Sequence, residues 1–309
     1  MLALESADVG AFGRAAVLAF RKSRIIRELH GLPETLARAG SLELKFAITR
    51  KEIRALQKMR YRVFFEQGGA VADPFTRAQR RDNCPFDRLC DHIIVVDHDY
   101  VTRMGRRKPR VVGAYRVLRQ DVAKSAERFY ASNEFDIASV IGRHPDKRFM
   151  ELGRSCVLPE YRARRVLELL WRGVLVYVRH HDVDVMFGCA SLPGADPQLH
   201  EPVIQFLRAH ASAGEKWRAA ARIVARPVAD APHADWKAPA PHGVTPDRRT
   251  LAGLPPLIKG YLRLGAMFAD DVFVDRAFGT TDVLVLLPVA RIGSRYIEHF
   301  GGDREMAAA

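Results

Sequence analysis

The chain has 309 residues, 48% of them hydrophobic, enough to bury a sizeable core, so disordered and fibrous classes are set aside. Lysine and arginine outnumber aspartate and glutamate by 49 to 36, a formal net charge of +13, which calls for an acidic partner: nucleic acid, anionic membrane, phosphorylated ligand or acidic protein. No stretch approaches the ~18 apolar residues of a membrane span, the N-terminus lacks an apolar core with a cleavage site, and the scattered Cys84, Cys90, Cys156 and Cys189 suggest neither a zinc site nor a disulfide framework. The expectation is a cytoplasmic protein without a metal.

In chain order, the first forty residues carry Phe12, Ala16, Ala19 and Phe20 at helical spacing, with Arg14, Arg21, Lys22, Arg24 and Arg27 on a basic side. Such a segment suits a membrane surface or an ordinary packed helix. From Ser41 the pattern predicts a strand, "LELKFAIT", a helix, "KEIRALQKMRYRVFFEQ", and a polar loop, "DPFTRAQRRDNCPFDRLC". Strands "DHIIVVDHD" and "RVVGAYRVLR" follow, then the irregular or helical "VAKSAERFYASNEFDIASVIGR". From Phe149 to Leu192 a strand, an amphipathic helix and the strand "VDVMFGCASL" predict a right-handed parallel crossover. A proline-rich excursion spans Ala225 to Pro256, "LIKGYLRLGAMFADD" reads as a short helix ending in a turn, and Pro288 should end the strand "TTDVLVLLPVARI" or place it at an edge. The organisation expected is a basic extension over 1–40, one α/β domain over 41–300 with the excursion at 225–256, and a tail over 301–309.

The stretch "MELGRSCVLPEYRARRVLELLWRGVLVYV" concentrates the chemistry. In a regular strand Glu151 faces away from Arg154; a bulge would bring both onto one cleft. The alternative is a structural ion pair, with Arg116 as a partner for the carboxylate. Beyond Pro159, Arg162, Arg164 and Arg165 cluster where a helix begins, and unpaired N–H groups together with the positive dipole end favour anions, phosphates above all.

Together, "ELGRSCVLPEYRARRVLELLWRGVLVYV", "GCASLPGADP", "RVVGAYRVLR", "LPPLIKGYLRLGAMFADD" and "FGTTDVLVLL" resemble the ornithine-acyl-ACP N-acyltransferases, relatives of the acyl-homoserine-lactone synthases and variants of the GCN5-related N-acetyltransferase (GNAT) fold. The likeness extends from Leu44 to Phe300. It implies a GNAT-like mixed central sheet flanked by helices and splayed between its fourth and fifth strands, with the pantetheine arm of the acyl donor in the gap. It also implies acyl carrier protein, an acidic protein bearing phosphopantetheine, as co-substrate, with no further cofactor. "PEYRARR" stands where acetyl-CoA-using members carry a glycine-rich loop, and its arginines suit the acidic carrier. The resemblance makes Glu151 the base that deprotonates the attacking amine and Arg154 an organiser of the site. Oxyanion donors are expected on the backbone from Ser155 through Cys156 to Val157, with Ser191 as a side-chain candidate.

"MRYRVFFEQ" and "RRDNCPFDRLCDH" resemble the acceptor region of the lactone synthases. A cationic amino acid wants a carboxylate for its ammonium and an arginine for its carboxylate, which nominates Asp87, Asp91 and Arg116, with Arg60 and Phe64 four apart on one helix face. His92 is a second candidate base, because histidine titrates nearer neutrality. The expected activity is transfer of a (3-hydroxy)acyl chain to the α-amine of ornithine at the inner-membrane surface. Acylation of glutamine, glycine or lysine, lactone synthesis, and a basic nucleic-acid-binding role remain open, although no DNA- or RNA-binding signature appears.

Overall fold

A computed structural model describes residues 29, 31–125, 128–162, 164–222 and 254–296. The basic segment from Val9, the bulk of the proline-rich excursion and the tail lie outside the described residues, as does the Arg164 side chain. The core is one eight-stranded sheet in the order β1-β2-β3-β4-β5-β6-β8-β7. Its strands are β1 (Thr35–Ala39), β2 (Leu42–Phe46), β3 (Asp91–Asp97), β4 (Arg110–Arg119), β5 (Phe149–Val157), β6 (Val185–Pro193), β7 (Met267–Asp275) and β8 (Thr280–Pro288). Every neighbouring pair is antiparallel except β5 and β6, which run parallel across helix α5 (Arg164–His180). That parallel crossover is the one predicted between Phe149 and Leu192.

Among the described residues the remaining α-helices are α1 (Arg50–Tyr61), α2 (Pro74–Gln79), α3 (Gln120–Ser125), α4 (Ile137–Gly142), α6 (Glu201–Ala211) and α7 (Pro256–Arg263). Helix α1 starts at a capping box in which Thr49 and Glu52 satisfy each other's backbone N–H groups. It runs into a π-helical turn, Arg62–Glu66, a local widening that often marks functional sites. Helix α5 covers one face of the sheet: Trp171 meets Tyr115 and Tyr177 meets Phe46. The opposite face holds a second apolar cluster around Phe129, Phe135, Phe149 and Phe187.

The sheet contains strands the sequence reading did not assign. Strand β1 falls inside the span expected to be an extension and buries Leu36 against β2. Strand β7 occupies Met267–Asp275, where a turn was expected after the helix, so α7 ends at Arg263. Pro288 ends β8 rather than marking an edge, because β8 is flanked by β6 and β7.

Two irregularities shape the site. Strands β5 and β6 pair only through Phe149–Val185, Met150–Met186 and Glu151–Phe187, then diverge. At the divergence Gly188 passes so close to β5 that an added Cβ would lie 2.2 Å from the Leu152 carbonyl oxygen. Counted from Leu42, β5 and β6 are the fourth and fifth strands, so the splay falls where it was expected. On the other side of β5, Gly153 pairs with Arg116 and Cys156 with Ala114, leaving Arg154 and Ser155 opposite the single residue Tyr115. This is a β-bulge, and Arg154 has φ +50°, a left-handed conformation that costs a non-glycine residue on the order of 1–3 kcal/mol.

Candidate active site

A cavity of about 780 Å³ opens at the splay. Tyr115 and Tyr261 line it on the α5 side of the sheet, their hydroxyls 3.3 Å apart; Arg116, Tyr130, Glu134 and Glu151 line it on the other. Neighbouring residues of β4 point to opposite faces, so a cavity touching both Tyr115 and Arg116 reaches through the sheet at the gap.

The bulge places Glu151 and Arg154 on this one cavity. Glu151 is 4% exposed, and its Oε2 and Oε1 accept the backbone N–H groups of Tyr130 (2.8 Å) and Ala131 (2.7 Å). Burial raises its pKa above the ordinary glutamate value, opposed by Arg116 and these two N–H donors. Arg154 Nε donates to Asp82 Oδ2 at 3.2 Å, and its guanidinium lies 4.8 Å from the Tyr130 ring centre and 4.6 Å from that of Phe278. Arg116 also sits over Tyr130, at 5.0 Å, and lies across Gly153, where a side chain would crowd it. The cavity thus carries a buried carboxylate beside two fixed guanidiniums.

A further acidic group faces the same cavity from the β7–β8 hairpin and the turn after Ala131–Asn133. Glu134, Asp275 and Asp282 bring one carboxylate oxygen each to within 4.8 Å of one another. Burial and the neighbouring Asp282 push Glu134 up to about 8, and burial pushes Asp282 up to about 6 despite a hydrogen bond with Ser191.

Comparison with known proteins decides the family. An acetyltransferase (GNAT) domain matches residues 59–172. The L-ornithine N(alpha)-acyltransferase of Rhizobium meliloti (strain 1021) is 44% identical over 270 residues, 87% of this chain and 88% of its own. That of Agrobacterium fabrum is 45% identical over 268 residues, with the same coverage. The chain belongs to the L-ornithine N(alpha)-acyltransferase family. Among solved structures, FeeM, an N-acyl amino acid synthase from uncultured soil microbes, is similar at TM-score 0.44 and 10% identity, covering 81% of this chain and 92% of that one.

Within this acyltransferase the cavity gathers Glu151, Arg154, Arg116, Phe64, Ser191 and Arg162 from the residues the sequence nominated. Others lie behind its wall. Arg60 is fully buried and grips Asp87 through two hydrogen bonds of 3.0 and 2.7 Å, with its Nε 2.8 Å from Asp82 Oδ2 at an angle that makes an ion contact rather than a hydrogen bond. Asp87 also accepts from Gln57 (3.0 Å) and Arg116 (3.4 Å), and against the cost of burial Arg60, His92 and Arg116 hold its carboxyl well below the usual range. The network anchors Arg116 and, through Asp82, Arg154. His92 Nε2 lies 3.1 Å from the Asp87 carbonyl oxygen, outside the cavity lining.

Asp91 is on the opposite face of β3, accepting the Tyr177 hydroxyl at 2.6 Å. Cys156 packs its sulfur 3.5 Å from Met59, and neither it nor Val157 lines the cavity, although Ser155 beside them does. Arg165 is exposed on the first turn of α5. Sequence reasoning missed Tyr130, Glu134, Asp275 and Asp282. Asp282 alone left a trace, as a charged residue inside the apolar run "TTDVLVLL".

Proposed function

We propose that this enzyme transfers a (3-hydroxy)acyl chain from acyl carrier protein to the α-amine of ornithine, giving a lyso-ornithine lipid. The observation that carries the reading is the passage through the splayed sheet with Glu151 and Arg154 brought to it by the bulge, in a chain 44% identical to an L-ornithine N(alpha)-acyltransferase. The α-ammonium must lose a proton before its lone pair can attack. Glu151, a carboxylate whose pKa burial raises, takes that proton directly or through a water. The nitrogen then attacks the thioester carbonyl, forming the C–N bond. Backbone N–H groups from Ser155 to Val157 and the Ser191 hydroxyl stabilise the oxyanion. Collapse breaks the C–S bond as the nitrogen gives up a second proton to become the amide N–H; the carrier's thiolate leaves and takes up one of the two protons, and the other passes from Glu151 to solvent. Arg116 and Arg154 receive the acceptor's α-carboxylate.

The acidic carrier is the proposed donor because the cavity mouth carries Arg162, with Arg164 and Arg165 next in sequence. A second hollow of about 650 Å³ adds Arg62, Arg103 and Arg110, with Glu160 pairing Arg62 and Arg110. Such a rim steers an acidic protein and holds its phosphate. Among the described residues no helix is long and apolar enough to cross a membrane. The proposed place of action is peripheral, at the cytoplasmic face of the inner membrane, because a singly acylated product must meet a bilayer. The test is incubation with 3-hydroxyacyl-carrier protein and, separately, ornithine, lysine, glutamine and glycine, with products identified by mass. N-acylornithine as the dominant product supports the reading; no acylation of any amino acid, or lactone formation from S-adenosylmethionine, overturns it.

A further inference from the structure

Glu134, Asp275 and Asp282 come from three separate parts of the chain and meet on the wall of the acyl-transfer cavity. Asp275 is held in place because its Oδ1 accepts the backbone N–H groups of Ala277 (2.8 Å) and Phe278 (3.0 Å). Glu134 and Asp282 are 5% and 4% exposed, yet Glu134 Oε2 and Asp282 Oδ1 have no partner in hydrogen-bonding geometry, the neighbouring Thr280 hydroxyl being itself buried and out of such geometry. Buried polar atoms are satisfied almost everywhere in folded proteins, so two orphaned carboxylate oxygens on a cavity wall mark an absent donor. We propose that the triad of Glu134, Asp275 and Asp282 binds the side-chain ammonium of a dibasic amino-acid acceptor and selects such acceptors over neutral ones. This rests on the acyltransferase reading and adds the residues that read the acceptor's second charge.

The geometry fits an ammonium. Three N–H donors at tetrahedral angles, each reaching a carboxylate oxygen at ~2.8 Å, reach oxygens up to about 4.6 Å apart. The three oxygens all lie within 4.8 Å of one another, close enough to share one ammonium. The rest of the lining supplies the complementary ends of the molecule: Arg116 and Arg154 for the α-carboxylate, Glu151 for the α-amine. A site that is cationic at one place and anionic at another orients a molecule carrying an opposite pair of charges. An acceptor with a neutral side chain leaves the orphaned oxygens unpaired, a discrimination of roughly ten- to hundredfold for each. A divalent cation is the competing occupant of three carboxylates, and it is one arm of the test.

The experiment compares kcat/KM for ornithine and for norvaline, which has the same carbon chain without the terminal amine, using acyl-carrier protein as donor. The ratio is measured in the wild-type chain, in Asp282→Asn and in the double variant Glu134→Gln, Asp282→Asn. A ratio of two substrates in one preparation is independent of how much of a variant is folded. The wild type should prefer ornithine by ~10²-fold or more. The double variant should lose most of that preference, through a higher KM for ornithine and improved use of norvaline. An unchanged ratio in both variants overturns the proposal. So does thermal stabilisation by Mg²⁺, Mn²⁺, Ca²⁺ or Zn²⁺ that the double variant abolishes without changing the ratio, which assigns the triad to a metal. A wild-type chain that acylates no amino acid overturns the acyltransferase reading instead.

Discussion

Replacing Glu151 by glutamine tests the chemistry at the bulge and is less conservative than its shape implies. The carboxylate accepts one backbone N–H on each oxygen, from Tyr130 and Ala131. An amide offers one oxygen, so one of these buried N–H groups loses its acceptor and faces an NH₂. The penalty is ~1–3 kcal/mol, and at roughly 2–4 °C per kcal/mol for a chain of this class the melting temperature should fall by about 2–12 °C. Turnover should fall further, by ~10²-fold or more, because the amide cannot take the proton. Thermal melts fix a temperature at which the variant is folded, and product formation is followed there by mass across pH. Since burial raises the Glu151 pKa, the acid limb of kcat/KM in the wild type should lie above the ordinary glutamate value and vanish in the variant. A folded variant with turnover within a few-fold of wild type and the same acid limb refutes the assignment. Solvent would then be the base, since His92 sits behind the wall.

Glu134→Gln should alter stability with a defined sign. Burial and Asp282 push Glu134 up to about 8 from 4.5, so the folded chain binds more protons than the unfolded one over that interval. That contribution is complete below the unfolded value and is lost as pH rises through 8. The melting temperature of the variant relative to wild type should therefore climb between pH 5 and pH 8.5, as calorimetry would read. Arg60→Leu takes from the buried Asp87 and Asp82 carboxylates their shortest ion contacts, leaving Arg116 and Arg154 as their cations, and should cost ~3–5 kcal/mol, seen as a lower urea midpoint. Changing Arg162, Arg164 and Arg165 together to glutamine should raise the KM for acyl-carrier protein and flatten its salt dependence, while the KM for ornithine barely moves. A membrane role for the basic N-terminal segment is tested by deleting residues 1–28, stopping short of β1. Sedimentation with anionic liposomes should fall, each cation contributing ~1 kcal/mol, and acyl transfer in solution should persist.

The parts legible in the sequence are those whose side chains alternate or run apolar without interruption. Strands β3, β4 and β8 bury nearly every residue and β6 its first four, and all read clearly as strands. Strand β1, "TLARA", buries only Leu36 at the sheet edge, too little for a pattern. Strand β7 is interrupted by Asp270 and Asp271 at a register shift between Phe268 and Val272, and the polar pair reads as a turn. At the site, Glu151 and Arg154 were legible as a pair because they share a strand. The bulge was only a condition, since nothing in "ELGRSCV" forces Arg154 to positive φ. Arg116 was nominated and lines the cavity, whereas Arg60 and Asp87 have the residue types of a binding site and the placement of its foundation. The acidic triad joins positions almost 150 residues apart and has no local spacing to betray it.

The bulge and the splay have one joint consequence. Without the bulge, Arg154 would point to the α5 face, and Glu151 would stand on the far face without it. Without the splay, β6 would close over β5 and no cavity would join Tyr115 to Arg116. The energy to hold Arg154 at positive φ comes from its surroundings: the ion pair with Asp82, itself bound to the buried Arg60, and the Tyr130 and Phe278 rings. Phe278 lies in the turn whose N–H groups fix Asp275, so the hairpin that packs on Arg154 also presents the acidic triad. The elements that strain the strand are thus the ones that set the distance between the guanidiniums and the carboxylates. For an acceptor with a charge at each end, that distance is what decides which amine is left facing Glu151.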